Sequence, residues 1–106
     1  MGFFDFFRTP AMDDGIREFA VTPGAVLLDV RTPAEYRQGH IPESKNIPLQ
    51  TIEAVGSVVE QKDTPLFVYC QSGARSRQAA AALKQMGYTN IKDLGGISAY
   101  TGKVVK

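Results

Sequence analysis

The sequence predicts a single α/β domain with a mostly parallel central sheet flanked by helices. Two observations carry that prediction. Nearly continuous apolar runs of strand length occur at 25–30 (AVLLDV) and 66–70 (LFVYC), and helix-patterned segments lie between such runs. A strand that is apolar on both faces suits a sheet covered on both sides, and strands alternating with helices join in parallel. A chain of 106 residues, 43% apolar and 22% charged, is long enough for one core and too short for two. The expected division is a Phe-rich segment at 1–10 and one domain at 11–106.

Phe3, Phe4, Phe6 and Phe7 crowd the start of the chain, and such density needs a surface to cover: the domain's own core, or a contact with a second copy or a membrane. Met12, Ile16 and Phe19 fall on one face of a short amphipathic helix, with Asp13 and Asp14 near its positive end. Thr22, Pro23 and Gly24 form a turn into the first strand, Ala25 to Val30, which carries one charge, Asp29. Thr32, Pro33, Ala34 and Glu35 read as a capping box with proline at the first helical position, opening a helix of one or two turns that stops at Gly39. His40 to Pro48 is loop, with room for a short extended piece at Asn46 and Ile47.

Ile52, Val55 and Val59 predict a helix ending near Gln61 despite Gly56 in its middle. Pro65 introduces the second buried strand, which delivers Cys70 at its carboxyl end. Arg77 to Met86 is the best helix former of the chain, with Gly87 as a left-handed cap beyond it. Ile91 to Leu94 is a short strand, Gly95 and Gly96 turn the chain, and Ile97 to Tyr100 starts a last helical turn.

Twelve Lys and Arg against eleven Asp and Glu, a net charge of +1, leave no surplus to neutralise a run of phosphates. Nucleic acid is therefore not an expected partner, while a small anion is. The lone Cys70 excludes an internal disulfide, a CxxC redox pair and a zinc site built on several cysteines, and His40 is the one histidine available beside it. No metal or cofactor is implied. No run approaches the ~20 apolar residues that span a bilayer. The MGFFDFF start is interrupted by Asp5 and Arg8, lacks the marks of a cleaved leader, and has Phe6 where myristoylation expects Ser or Thr. A reducing cytoplasm is the expected compartment.

The chemistry concentrates at Cys70, Gln71, Ser72, Gly73, Ala74, Arg75 and Ser76, between a buried strand and a strong helix. In open α/β sheets ligands sit at the carboxyl ends of strands, where Cys70 falls. Gly73 lets the backbone turn tightly and aim successive N–H groups at one point, the following helix aims its positive end there, and Arg75 and Arg77 add charge nearby. Such surroundings favour a thiolate: bringing a cysteine from about 8.5 to about 6.5 takes ~2.7 kcal/mol of differential stabilisation. An inert strand-end cysteine would leave Gly73, Arg75 and Ser76 unexplained.

Four stretches in this order, LLDVRTPAEYRQGHIP at 27–42, NIPL at 46–49, FVYCQSGARS at 67–76 and LGG at 94–96, resemble single-domain rhodanese-type sulfurtransferases. The resemblance implies a rhodanese-like three-layer domain and a ping-pong sulfur transfer. Cys70 is then the catalytic nucleophile that becomes a persulfide. The donor is a small sulfur anion, thiosulfate or a persulfide, and the acceptor is cyanide, a small thiol or a thioredoxin-like dithiol. Residues Gln71 to Ser76 form the cradle for donor and intermediate. Asp29 and Arg31 support the site, paired with each other or with backbone amides, and His40 is structural rather than the base of a Cys–His dyad. Two further readings stand beside this one. The first is a sulfur-carrier or sensing module with little turnover. The second is a phosphatase or arsenate reductase, which the loop argues against, since four residues rather than five separate Cys70 from Arg75 and make a smaller ring of amides. The chain departs from the family pattern at Glu43 and Ser44, where a glycine and a small residue commonly follow HIP, and at Tyr100, where a tryptophan is common.

Overall fold

The computed structural model describes residues 11–106, so the expectation for the Phe-rich segment lies outside the described residues. Helix α1 spans Ala11–Ala20, as the spacing of Met12, Ile16 and Phe19 predicts. Strand β1 (Val26–Asp29) leads to helix α2 (Pro33–Gln38), and β2 (Lys45–Asn46) supplies the short extended piece. Strand β3 (Leu66–Cys70) precedes helix α4 (Ala74–Gln85), followed by β4 (Ile91–Gly96) and a closing 3₁₀ turn at Ile97–Ala99.

The four strands form one parallel sheet in the order β2-β1-β3-β4. Both faces are covered. Leu28, Val30, Leu66, Val68 and Cys70 point to one face, where Val55, Ala79, Leu83 and Tyr88 close a core. Leu27, Phe67 and Tyr69 point to the other, against Met12, Ile16 and Phe19 of α1. The rings of Phe19 and Phe67 meet edge to face at 5.7 Å. Double coverage explains why every residue of LFVYC is buried, and it makes three layers of helix, sheet and helix.

Two expectations need correction. The segment read as one helix from Ile52 towards Gln61 is a 3₁₀ stretch at Leu49–Ala54, broken by non-helical geometry at Thr51, followed by a single turn α3 at Val55–Val58. β-branched Thr51, Ile52, Val55 and Val58 with Gly56 are poor helix formers, so packing of Ile52 and Val55 onto the core holds a shorter, tighter structure. Gly95 and Gly96, expected to end the strand, continue it: the ladder slips by one residue after Val68, leaving Leu94 as the extra residue of a bulge, and pairing resumes with Tyr69 opposite Gly95, at φ 98°, and Cys70 opposite Gly96.

The connections position the site. From β1 the chain crosses through α2 to β2 on one side, and from β3 it crosses through α4 to β4 on the other. The crevice between the carboxyl ends of β1 and β3 is therefore the switch point at which α/β sheets bind ligands.

Candidate active site

Cys70 ends β3 inside this crevice, and α4 begins four residues later. Gly73, at φ 111°, turns the loop with left-handed geometry, and its N–H donates to Cys70 Sγ at 3.0 Å. Burial pushes the Cys70 thiol up; hydrogen bonds from the Ser76 amide and hydroxyl, then from the Gly73 and Ser72 amides, outweigh it and hold the thiol below its ordinary value. The thiolate is thus stabilised by backbone dipoles converging at the start of α4. Ser76 is fully buried, and its hydroxyl lies 3.1 Å from Gly73 O and 3.3 Å from Gly95 O, so its proton can turn from a carbonyl to the sulfur.

The loop is shaped from two sides. On one, Ser98 N donates to Gln71 O at 3.1 Å, and Gly96 lies so close that an added Cβ would stand 2.3 Å from Gln71 O and 2.6 Å from Ser72 Cα. Only glycine fits. On the other side, Arg31 Nη1 donates to Gln71 Oε1 at 3.3 Å.

Asp29 and Arg31 are 0% and 4% exposed, and a buried charge persists only when matched. Arg31 Nε and Nη2 donate to the Asp29 carboxylate, Nη2 at 2.7 Å, and the Arg31 amide donates to Oδ1 at 2.9 Å. Arg31 Nη2 also reaches Gly39 O at 2.7 Å. Asn46 Nδ2 donates to the carbonyls of Asp29 and Arg31 at 3.0 and 2.9 Å, pinning the end of β1. His40 is stacked on the Tyr36 ring at 3.7 Å, with Nδ1 2.8 Å from Tyr36 O, while its backbone bridges to Val105. Its hydrogen bonds are with α2 and the C-terminal segment rather than with Cys70.

Arg75 is not a free cation. Its Nη1 and Nη2 donate to Glu35 Oε1 and Oε2 at 2.7 and 2.9 Å, a two-point clasp across the mouth of the crevice. Glu35 is also the expected capping residue of α2: its N–H donates to Thr32 Oγ1 at 3.2 Å, and its Oε1 accepts from Thr32 N at 2.9 Å. The Arg75 guanidinium, then desolvation opposing it, then the Thr32 hydrogen bonds leave the Glu35 carboxyl at about 2. Arg77, expected nearby, lies at an exposed position of α4. Sequence reasoning gave Glu35 its capping role and missed the second, because the partner lies 40 residues away; the one signal was that a capping box uses only one carboxylate oxygen.

The departures from pattern are accommodated. Glu43 takes the glycine-like conformation, φ 72°. Ser44 Oγ donates to Ile41 O at 2.7 Å and accepts from the Tyr69 hydroxyl at 3.2 Å, and Ile41 N donates to that hydroxyl at 3.1 Å. Tyr100 packs partly buried against the α1-side core.

The arrangement can hold a nucleophilic sulfur, and a further anionic atom bound to it, in a ring of amides. Residues 14–103 match the family described as rhodanese-like domain. Among curated proteins the chain is similar to a sulfurtransferase of Allochromatium vinosum, 44% identical over 85 residues that cover 79% of this chain and 78% of that protein. It is likewise similar to thiosulfate sulfurtransferase PspE of Escherichia coli, 39% identical over 71 residues, 66% of this chain and 68% of that one. Among solved structures it is similar to a rhodanese with anions from E. coli, with a TM-score of 0.73 at 36% identity over 77% of this chain and 98% of that one.

Proposed function

The chain belongs to the rhodanese-like domain family, and on that footing we propose that it is a sulfurtransferase that carries sulfane sulfur on Cys70. The observation that carries the reading is the Gly73 N–H on Cys70 Sγ at 3.0 Å, one of several donors turned inward at the head of α4. The Cys70 thiolate attacks the outer sulfur of thiosulfate or of a persulfide; the new S–S bond forms as the old one breaks, and sulfite or the donor thiolate departs with the bonding pair. The terminal sulfur of the resulting persulfide is anionic, and the amides of Gln71 to Ser76 stabilise it as they stabilise the donor. Cyanide, a small thiol or a thioredoxin-like dithiol then attacks that terminal sulfur, and Cys70 leaves as thiolate. As the single cysteine, Cys70 has no resolving partner in this chain, so the sulfur passes to a separate acceptor.

Asp29 and Arg31 hold the β1 end and Gln71, His40 holds the α2 loop, and Arg75 offers the N–H groups that Glu35 does not occupy. The name of PspE, thiosulfate sulfurtransferase, and the anions in the E. coli rhodanese structure support an anionic donor. We place the reaction in a reducing compartment such as the cytoplasm, which keeps a lone thiolate available; among the described residues no helix is long and apolar enough to cross a membrane.

Steady-state turnover with thiosulfate and cyanide tests the reading. Thiocyanate production with parallel double-reciprocal lines, abolished by Cys70→Ser, is expected. Sulfur uptake without release to any acceptor would instead make the protein a carrier, and hydrolysis of an aryl phosphate without sulfur uptake would make it a phosphatase.

A further inference from the structure

The side-chain charges around the cradle cancel. Arg31 is matched by Asp29, and Arg75 is matched by Glu35 through two hydrogen bonds of 2.7 and 2.9 Å. Glu35 cannot swing aside when a donor arrives, because Oε1 also accepts from the amide and hydroxyl of Thr32 at 2.9 and 3.1 Å and closes the cap of α2. The pair stands at the mouth, with side chains 30% and 29% exposed, where an incoming anion meets both charges. With the guanidinium charges so matched, the amide ring supplies most of the attraction for the anion, and it is suited to one negative charge beside the thiolate more than to two.

We propose that Glu35 sets the donor specificity of this site, holding the charge of Arg75 in check so that singly charged sulfane donors, such as persulfides and thiosulfonates, are favoured over doubly charged thiosulfate. This rests on the sulfurtransferase reading above and names its donor class. Glu35 acts through Arg75 and through its own field on the donor, without contacting the reacting sulfur. Its carboxyl, held at about 2, remains ionised at every working pH, so the filter is constant.

Thiosulfate and methanethiosulfonate give a matched test, for both deliver the same outer sulfur and differ by one negative charge. Attack by Cys70 releases sulfite from the first and methanesulfinate from the second, the S–S bonding pair leaving with each. Glu35→Gln keeps the cap, since Gln Oε1 can accept from Thr32 N, and frees Arg75. The expected result is a ratio of kcat/KM, thiosulfate over methanethiosulfonate, that rises roughly five- to tenfold, with a steeper fall of thiosulfate uptake as salt is added. Arg75→Gln, which leaves the Glu35 charge unmatched, shifts the ratio the other way. Thermal melting verifies that both variants fold, and a merely structural role would lower both donors together. An unchanged donor ratio in both variants, with uptake intact, overturns this proposal alone. Absence of uptake from both donors in the unaltered protein overturns the sulfurtransferase reading, and this proposal with it.

Discussion

Glu43 holds a backbone conformation, φ 72°, that L side chains adopt at a cost, and it is the one non-glycine at positive φ among the described residues. Its side chain is exposed, so nothing in the packing rewards the glutamate. Glu43→Gly removes a strain of ~1–2 kcal/mol and adds unfolded-state entropy that takes back part of it. Chemical denaturation is expected to show a net gain of about 0.5–1 kcal/mol, and a loss of stability would contradict the strain. The same scale explains the proposed nucleophile. Cys70 is 1% exposed, and burial taken alone pushes its thiol up; the inward-turned donors of Ser76, Gly73 and Ser72 outweigh that and hold it below its ordinary value. Lone cysteine, glycine two residues before arginine and serine after it were legible in the sequence. The clasp of Glu35 on Arg75 was not, because a contact spanning 40 residues leaves no local periodicity.

At the scale of elements, the sequence signals worked where one local cause dominates and failed where packing decides. The capping box of Thr32 and Glu35 fixed the start of α2, and Gly87, at φ 104°, closes the turn beyond α4. The 3₁₀ stretch at Leu49–Ala54 and the bulge at Leu94 depend on what lies across the core and on the Cys70 loop, which spacing along the chain cannot express. The second glycine of LGG has its reason in the loop it touches. Gly96→Ala drives a methyl into the backbone of Gln71 and Ser72, so a loss of about 1–3 kcal/mol and at least a tenfold drop in sulfur uptake are expected. Gly56→Ala is the matched control: nothing lies within 4 Å of its added Cβ, and alanine in this helical turn is expected to leave uptake unchanged and stability equal or higher. Equal behaviour of the two variants would mean that β4 does not shape the loop.

For the whole molecule, an overall charge of +1 conceals local matching: among the described residues Arg31 pairs with Asp29, Arg75 with Glu35, Lys92 with Glu18 and Arg17 with Asp14. Glu35 joins the α2 cap to the start of α4, and Asp13 of α1 accepts from Thr101 N at 2.9 Å, fastening the C-terminal segment to the first helix. Hydrogen bonds from the Thr101 side chain and amide hold the Asp13 carboxyl below its ordinary 3.8, and the Arg75 clasp lowers Glu35 from 4.5 to about 2. A carboxyl depressed in the folded state stabilises it fully above the unfolded value, and that contribution is lost as pH falls toward the folded one. Denaturation free energy should therefore decline between about pH 4.5 and 2, with a shallower decline in Glu35→Gln. A slope identical to that of the unaltered protein would contradict the clasp.

The central claim is that Cys70, at the switch point between β1 and β3, carries sulfur. Intact mass after incubation with thiosulfate or methanethiosulfonate tests it most directly. The account predicts a gain of one sulfur atom per chain, absent in Cys70→Ser and removed by cyanide. No gain from either donor, or the same gain in Cys70→Ser, would contradict it.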